Sequence, residues 1–210
     1  MVILSNEISF PKVESAESSG LLAIGGDLSM ERLKLAYKSG VFPWYSEGEP
    51  ILWYSPDPRM VLFPEELKIA KSMRQIIRSN RFRVTFNHDF EKVIRNCKNI
   101  DRINQGQDGT WITNEMLDSY VKLHKEGTAK SVEVWEGDEL VGGLYGVEVG
   151  TVFCGESMFS KVSNASKVAL VSLVQNNEKT YNLIDCQVYN QHLESLGARE
   201  ISREDFISFL

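Results

Sequence analysis

Apolar residues recur at helical spacing through the first half of the chain and at strand spacing through the second. Met30 to Ser39 reads as a short helix that Gly40 can end. Glu65 to Ser79 reads as amphipathic, with Ile69, Met73, Ile76 and Ile77 on one face and Lys71, Arg74 and Arg78 on the other. Glu65 and Glu66 suit its N-terminal dipole end. A strand is expected from Phe82 to Phe86, then a helix from Asp89 to Cys97 whose core face is Phe90, Val93, Ile94 and Cys97. A polar loop, Asn104 to Thr113, presents Trp111, and a third helix runs from Asn114 to about Glu126. From Ser131 the pattern alternates, giving three strands joined by the turns EGDE and EVG, an antiparallel meander. One helical pattern, Ala165 to Gln175, separates the last of them from the strand LIDCQ, about the length a parallel crossover needs. A short helix (His192 to Leu196), an edge strand (Arg199 to Ile201) and a last helix from Arg203 follow.

The first sixty residues have a different texture. VFPWYSEGEPILWYSPDPRMVLFP is dense in proline and aromatic side chains, which leaves little room for helix. A boundary near residue 62 is expected, with a small unit at 1–62 and a larger one at 63–210. Meander, crossover helix and a strand splaying from its neighbour is the order of an α+β, mixed-sheet acyltransferase fold of the N-acetyltransferase type.

Two stretches place acid where a carboxylate is costly, inside apolar strands. In FCGESMFS, alternation puts Glu156 on one face with Cys154 and Met158. In LIDCQ it puts Asp185 and Gln187 together, with Ile184, Cys186 and Val188 opposite. A parallel crossover brings Glu156, Asp185 and Gln187 to one cleft. Each acid alone is equally well read as a strand-end carboxylate satisfied by backbone donors.

Composition narrows the chemistry. The 42% hydrophobic and 25% charged residues are those of a globular protein, and 210 residues suffice for a full core. No apolar run nears the ~20 residues of a membrane span, and MVILSNE lacks a basic leader, so neither a membrane span nor a secretory signal is expected. Cys97, Cys154 and Cys186 show no C-x-x-C spacing, and His88, His124 and His192 no paired-ligand spacing, so no metal site is expected. Gly25 and Gly26 lack the Gly-Lys-Ser/Thr of a phosphate loop. Ten Lys or Arg stand against three Asp or Glu between Lys68 and Arg102, a basic stretch in a chain of net charge −6. That stretch suits phosphate, and the acidic remainder suits a cationic second substrate. Acetyl transfer from coenzyme A would need a glycine-rich turn before the crossover helix, and Lys161 to Lys167 has no glycine.

GGDLS, FPWYS, WYSPDPR, GTWIT, VGGLYGV, FCGESMFS, NASK and LIDCQ occur in the order seen in leucyl/phenylalanyl-tRNA–protein transferases, which the chain resembles from about Gly20 to Gly197. The resemblance implies a cytoplasmic bacterial enzyme of the N-degron pathway. Such an enzyme moves Leu or Phe (sometimes Met) from aminoacyl-tRNA to the N-terminal amine of proteins beginning with Arg or Lys, marking them for degradation. It implies no cofactor, ATP or metal. It also implies catalytic roles for Asp185, Gln187 and Glu156, the first two receiving a proton from the amine or orienting it. Phe153, Met158, Ile184, Leu144 and Leu173 would form the aminoacyl pocket. Trp44 and Trp111 would bind the terminal adenosine, and Lys71, Arg74, Arg78 and Arg81 the tRNA phosphates. Leu144 and Leu173 stand where members carry Met and Phe, which alters the pocket's volume. The alternatives are a coenzyme A-dependent N-acyltransferase of the same fold and a non-catalytic RNA- or degron-binding protein.

Overall fold

A computed structural model describes residues 2–99, 111–176 and 179–210. Most of the polar loop expected before Trp111 lies outside the described residues. Two sheets organise the described residues. The smaller has the order β1-β2-β4-β3, from Val2–Leu4, Leu21–Gly25, Leu52–Tyr54 and Phe42–Pro43 respectively. The larger has seven strands. In chain order they are β5 (Arg59–Leu62), β6 (Arg83–Phe86), β7 (Ala129–Glu136), β8 (Glu139–Val149), β9 (Val152–Ser160), β10 (Leu183–Gln187) and β11 (Arg199–Ile201). In space they run β11-β5-β10-β9-β8-β7-β6.

The three-strand meander forms as expected, β7 to β9 pairing antiparallel in sequence, and β6 adds to it antiparallel to β7. Helix α5 (Ala165–Val174) then carries the chain across to β10, which lies parallel to β9. This is the mixed-sheet acyltransferase arrangement that the element order predicts. The proline-rich stretch holds no helix before Pro64 and supplies three short strands, β3, β4 and β5. Strand β5 pairs with β10 and β11, so residues 59–62 lie in the large sheet although the sequence boundary at 62 sets them before it.

Strand alternation sends side chains to two cores. On the near face Val61, Tyr145, Val147, Val152, Cys154, Phe159 and Leu183 share one cluster with Leu22, Tyr37, Phe42 and Trp53 of the N-terminal region. Helices α1 (Met30–Lys38), α3 (Phe90–Asn99), α4 (Asn114–Lys125) and α7 (Arg203–Ile207) contribute to that cluster. The N-terminal unit therefore packs directly on the sheet. Helix α1 ends as its sequence suggests. Gly40 takes φ +72°, Gly40 N donates to Tyr37 O, and Val41 N donates to Ala36 O, the bonds that close the last turn of the helix. On the far face, α5 and α2 (Lys71–Arg78) cover Leu62, Val134, Val141, Phe153 and Ile184.

Helix α2 is shorter than expected. Pro64–Glu66 form a single 3-10 turn, and Lys68 N donates to Leu196 O at 2.8 Å, beside α6 (Gln191–Ser195). That bond holds the chain outside helical geometry, so Glu65 and Glu66 do not sit at the dipole end of α2. Met73 is buried beneath the helix, whereas Ile77 is exposed.

Candidate active site

Glu156 owes its position to an irregularity that alternation does not reveal. Tyr145 opposes Ser157 and Gly146 opposes Gly155, so Glu156 is the unpaired residue of a β-bulge. Gly146 permits it: a Cβ there would sit 2.2 Å from Cys154 O and 2.7 Å from the Phe153 ring. The bulge also resets the alternation. Glu156 stays on the near face with Cys154, but Met158 packs on the far face with Leu144, Phe153, Leu173 and Ile184. The expectation that Met158 shares the face of Glu156 is corrected by that extra residue.

Strand β10 breaks its register at the equivalent level. Asp185 opposes Val61 and Gln187 opposes Met60, leaving Cys186 extra. Gln187 then takes φ +65°, a left-handed conformation uncommon for a residue with a Cβ. The last β9–β10 pair is Asp185 with Cys154, and the two strands separate there. Across the opening, Gln187 Nε2 donates to Glu156 Oε1 at 2.7 Å. Tyr120 Oη of α4 donates to Glu156 Oε2 at 3.1 Å, and the hydroxyls of Tyr120 and Tyr37 are hydrogen-bonded to each other.

The two acids differ in kind. Burial, and after it the Asp185 carboxylate, raises the Glu156 carboxyl to about 7, against the pull of the Tyr37 and Tyr120 hydroxyls and the Gln187 amide. Glu156 thus changes charge near neutrality. The two phenols are pushed well above their usual range, by burial first and then by the Glu156 carboxylate, so they remain neutral donors. Asp185 is fully buried and accepts three hydrogen bonds. Arg59 Nε donates to Oδ1 at 2.8 Å, Arg59 Nη2 to Oδ2 at 2.7 Å, and Gln187 N to Oδ1 at 2.9 Å. Burial pushes the neighbouring Cys154 thiol up, with Asp185 adding to it, which disfavours a nucleophilic thiolate.

The sequence pattern of the leucyl/phenylalanyl-tRNA protein transferase family matches residues 61–210, and that of the family's N-terminal domain matches residues 26–57. The chain belongs to this family. Relatives named leucyl/phenylalanyl-tRNA–protein transferase include proteins of Flavobacterium johnsoniae, 62% identical, and Flavobacterium psychrophilum, 59% identical. Each match covers 100% of this chain and 99% of the relative. Among solved structures, a conserved protein of unknown function from Bacteroides thetaiotaomicron is similar at a TM-score of 0.50 and 10% identity, over 82% of this chain and 62% of the other. That likeness is one of fold alone. Family membership makes the protein an aminoacyltransferase, the enzyme class the motifs imply.

The remaining sequence-predicted residues of the transferase fall into groups. Leu144, Phe153, Leu173 and Ile184 are buried in one far-face cluster, with Met158 at its margin. Trp44 is exposed and packs at 5.7 Å from Tyr54, while Trp111 is half-buried against the near-face core. A hydrogen bond of 3.3 Å between Tyr45 and Thr113 ties their two segments together. Lys71, Arg74 and Arg78 are exposed along α2. Arg81 differs from them, because its Nε donates to Glu136 Oε1 at 2.7 Å. Among the described residues no group of three or more His, Cys, Asp or Glu is gathered as metal ligands, and no helix is long and apolar enough to cross a membrane.

Three residues around the acids escaped sequence reasoning. Tyr37 and Tyr120 lie at apolar positions of their helices and read as core. Arg59 lies inside WYSPDPR, where a buried arginine implies an acidic partner, but nothing local says which.

Proposed function

We propose that the protein transfers the aminoacyl group of leucyl- or phenylalanyl-tRNA, and of methionyl-tRNA, to the α-amine of proteins beginning with Arg or Lys, so marking them for degradation in the bacterial cytoplasm. The amine nitrogen bonds to the aminoacyl carbonyl carbon, the ester bond to the terminal ribose breaks, and the proton lost by the amine ends on the ribose oxygen. The ester is already activated, so no ATP, metal or cofactor is required. The enzyme's task is to position two partners and manage one proton.

The observation that carries this reading is the separation of β9 from β10 beyond Cys154 and Asp185. It opens between a polar pair on the near face, Glu156 and Gln187, and an apolar cluster on the far face. A donor seated in the opening keeps its ester and amino group beside Glu156 and Gln187. Its Leu or Phe side chain then lies among Leu144, Phe153, Met158, Leu173 and Ile184. Glu156, poised near neutrality, holds the donor's ammonium or takes the acceptor's proton, and Gln187 orients the carbonyl or the amine. Asp185, already bound by three donors, serves Gln187 rather than the proton. Trp44 and Trp111 offer faces to the terminal adenine, where stacking contributes about 1–3 kcal/mol per base. Lys71, Arg74, Arg78 and Arg81 meet phosphates, a mode of contact that admits several tRNAs.

The test is transfer of labelled leucine from leucyl-tRNA to two peptides, one beginning with Arg and one with Ala, without ATP or added metal. Label on the Arg peptide alone is the expected result. Absence of label on both, beside acetyl transfer from acetyl-coenzyme A in a parallel reaction, would overturn the reading.

A further inference from the structure

Arg59 is a buried cation that touches none of the groups assigned to the reacting molecules, yet it organises one of them. Its guanidinium meets Asp185 as a fork, through Nε and Nη2. Nη1 donates to Gly40 O at 3.3 Å, at the capped end of α1. The rings of Phe42 and Phe206 lie 4.7 and 4.5 Å from its central carbon and shield the cation from water. A buried pair of this kind adds little stability over apolar residues of the same volume, because both charges lose hydration. Its contribution here is geometric. The Asp185 oxygen bound to Arg59 Nε also accepts the Gln187 backbone N–H. Gln187 sits just past a bulge in a left-handed conformation, which persists only where the surroundings over-determine it.

We propose that Arg59 is a positioning residue of the transfer reaction. It fixes the Asp185 carboxylate, Asp185 fixes the left-handed turn at Gln187, and that turn aims the Gln187 amide across the opening at Glu156. The proposal rests on the reading of Gln187 given above. Lysine cannot substitute, since an ammonium has no planar fork to hold both carboxylate oxygens.

The test compares wild type, Arg59→Lys, Gln187→Ala and the double variant in steady-state leucine transfer from leucyl-tRNA to a peptide beginning with Arg, with thermal melting alongside. Arg59→Lys is expected to lower kcat by about tenfold to a hundredfold, with KM for leucyl-tRNA unchanged. Adding it to Gln187→Ala is expected to cost no further activity, because Arg59 acts through Gln187. A purely structural role would multiply the two losses, and that outcome overturns the proposal. Wild-type kcat in Arg59→Lys beside an impaired Gln187→Ala also overturns it. Wild-type kcat in Gln187→Ala removes the reading of Gln187 itself, and the proposal with it. If Arg59→Lys does not fold, Phe206→Leu, which loosens the cover over the guanidinium and leaves the fork, is judged by the same criteria with a smaller loss expected.

Discussion

Gln187 and Glu156 join two strands that have ceased to pair. Their 2.7 Å hydrogen bond spans the opening just beyond Asp185 and Cys154, where the backbone ladder ends. A substrate entering there must exchange its own polar groups for this contact. Each partner must also stay where its bulge has put it.

The charge on Glu156 gives the first prediction. Its carboxyl is raised from 4.5 to about 7 in the folded protein, chiefly by burial. The folded state therefore binds the proton more tightly, and stability falls as pH rises between these values. The contribution is fully present below about 4.5 and lost above about 7, a change on the order of 3 kcal/mol. Glu156→Gln should flatten this dependence, which thermal melts across the range will read. In transfer assays, wild-type kcat/KM should fall as pH drops through about 7. The variant should keep only the limb set by the acceptor amine, near 7.7–8.0. A variant profile identical in shape to wild type would remove Glu156 from the pH dependence.

The Arg59–Asp185 pair separates stability from function. Asp185→Ala leaves a guanidinium buried without its counter-ion and should cost about 3–5 kcal/mol in a denaturant melt, together with transfer activity. Replacing both residues by leucine removes the stranded charge and should restore most of the stability, because the pair's attraction largely offsets its desolvation. Transfer should stay lost. Recovery of activity in the double variant would show that the pair only props the fold.

How much of this could be read from the chain depends on the range of the interaction. The meander, the crossover helix and Gly40 at the end of α1 are legible, since periodicity and capping are local. Strands β3 to β5 are two to four residues long and proline-punctuated, too short for alternation to register. Helix α2 loses its first turn to a bond between Lys68 and Leu196, far apart in sequence. The bulge at Glu156 depends on how closely Gly146 lets β9 approach, and the Arg59–Asp185 fork joins residues 126 positions apart. The acids could be named from their strands. Gln187 could be placed beside them, but Tyr37, Tyr120 and Arg59, and the face Met158 occupies, could not.

Gly146→Ala tests the bulge directly. The added Cβ would lie 2.2 Å from a backbone oxygen, so β9 has to move. Overpacking of this kind costs about 1–3 kcal/mol. The loss of kcat should exceed what a melt accounts for, because the displaced segment carries Glu156. A melting shift with kcat intact would mean that Glu156 keeps its place without the bulge.

The basic strip should divide by partner. Lys71, Arg74 and Arg78 are exposed on α2, whereas Arg81 is already paired with Glu136. Each cation that neutralises a phosphate releases counter-ions, so its removal makes log affinity less steep against log salt by about one. Arg74→Glu should therefore weaken leucyl-tRNA binding and flatten that slope, as read by filter binding over a salt series. Arg81→Ala should do less, since Arg81 must first leave Glu136, although an exposed pair of this kind holds it only weakly. Glu136→Ala frees Arg81 and should strengthen binding slightly and steepen the slope. A slope unchanged by Arg74→Glu would place the phosphate contacts on another face of the protein.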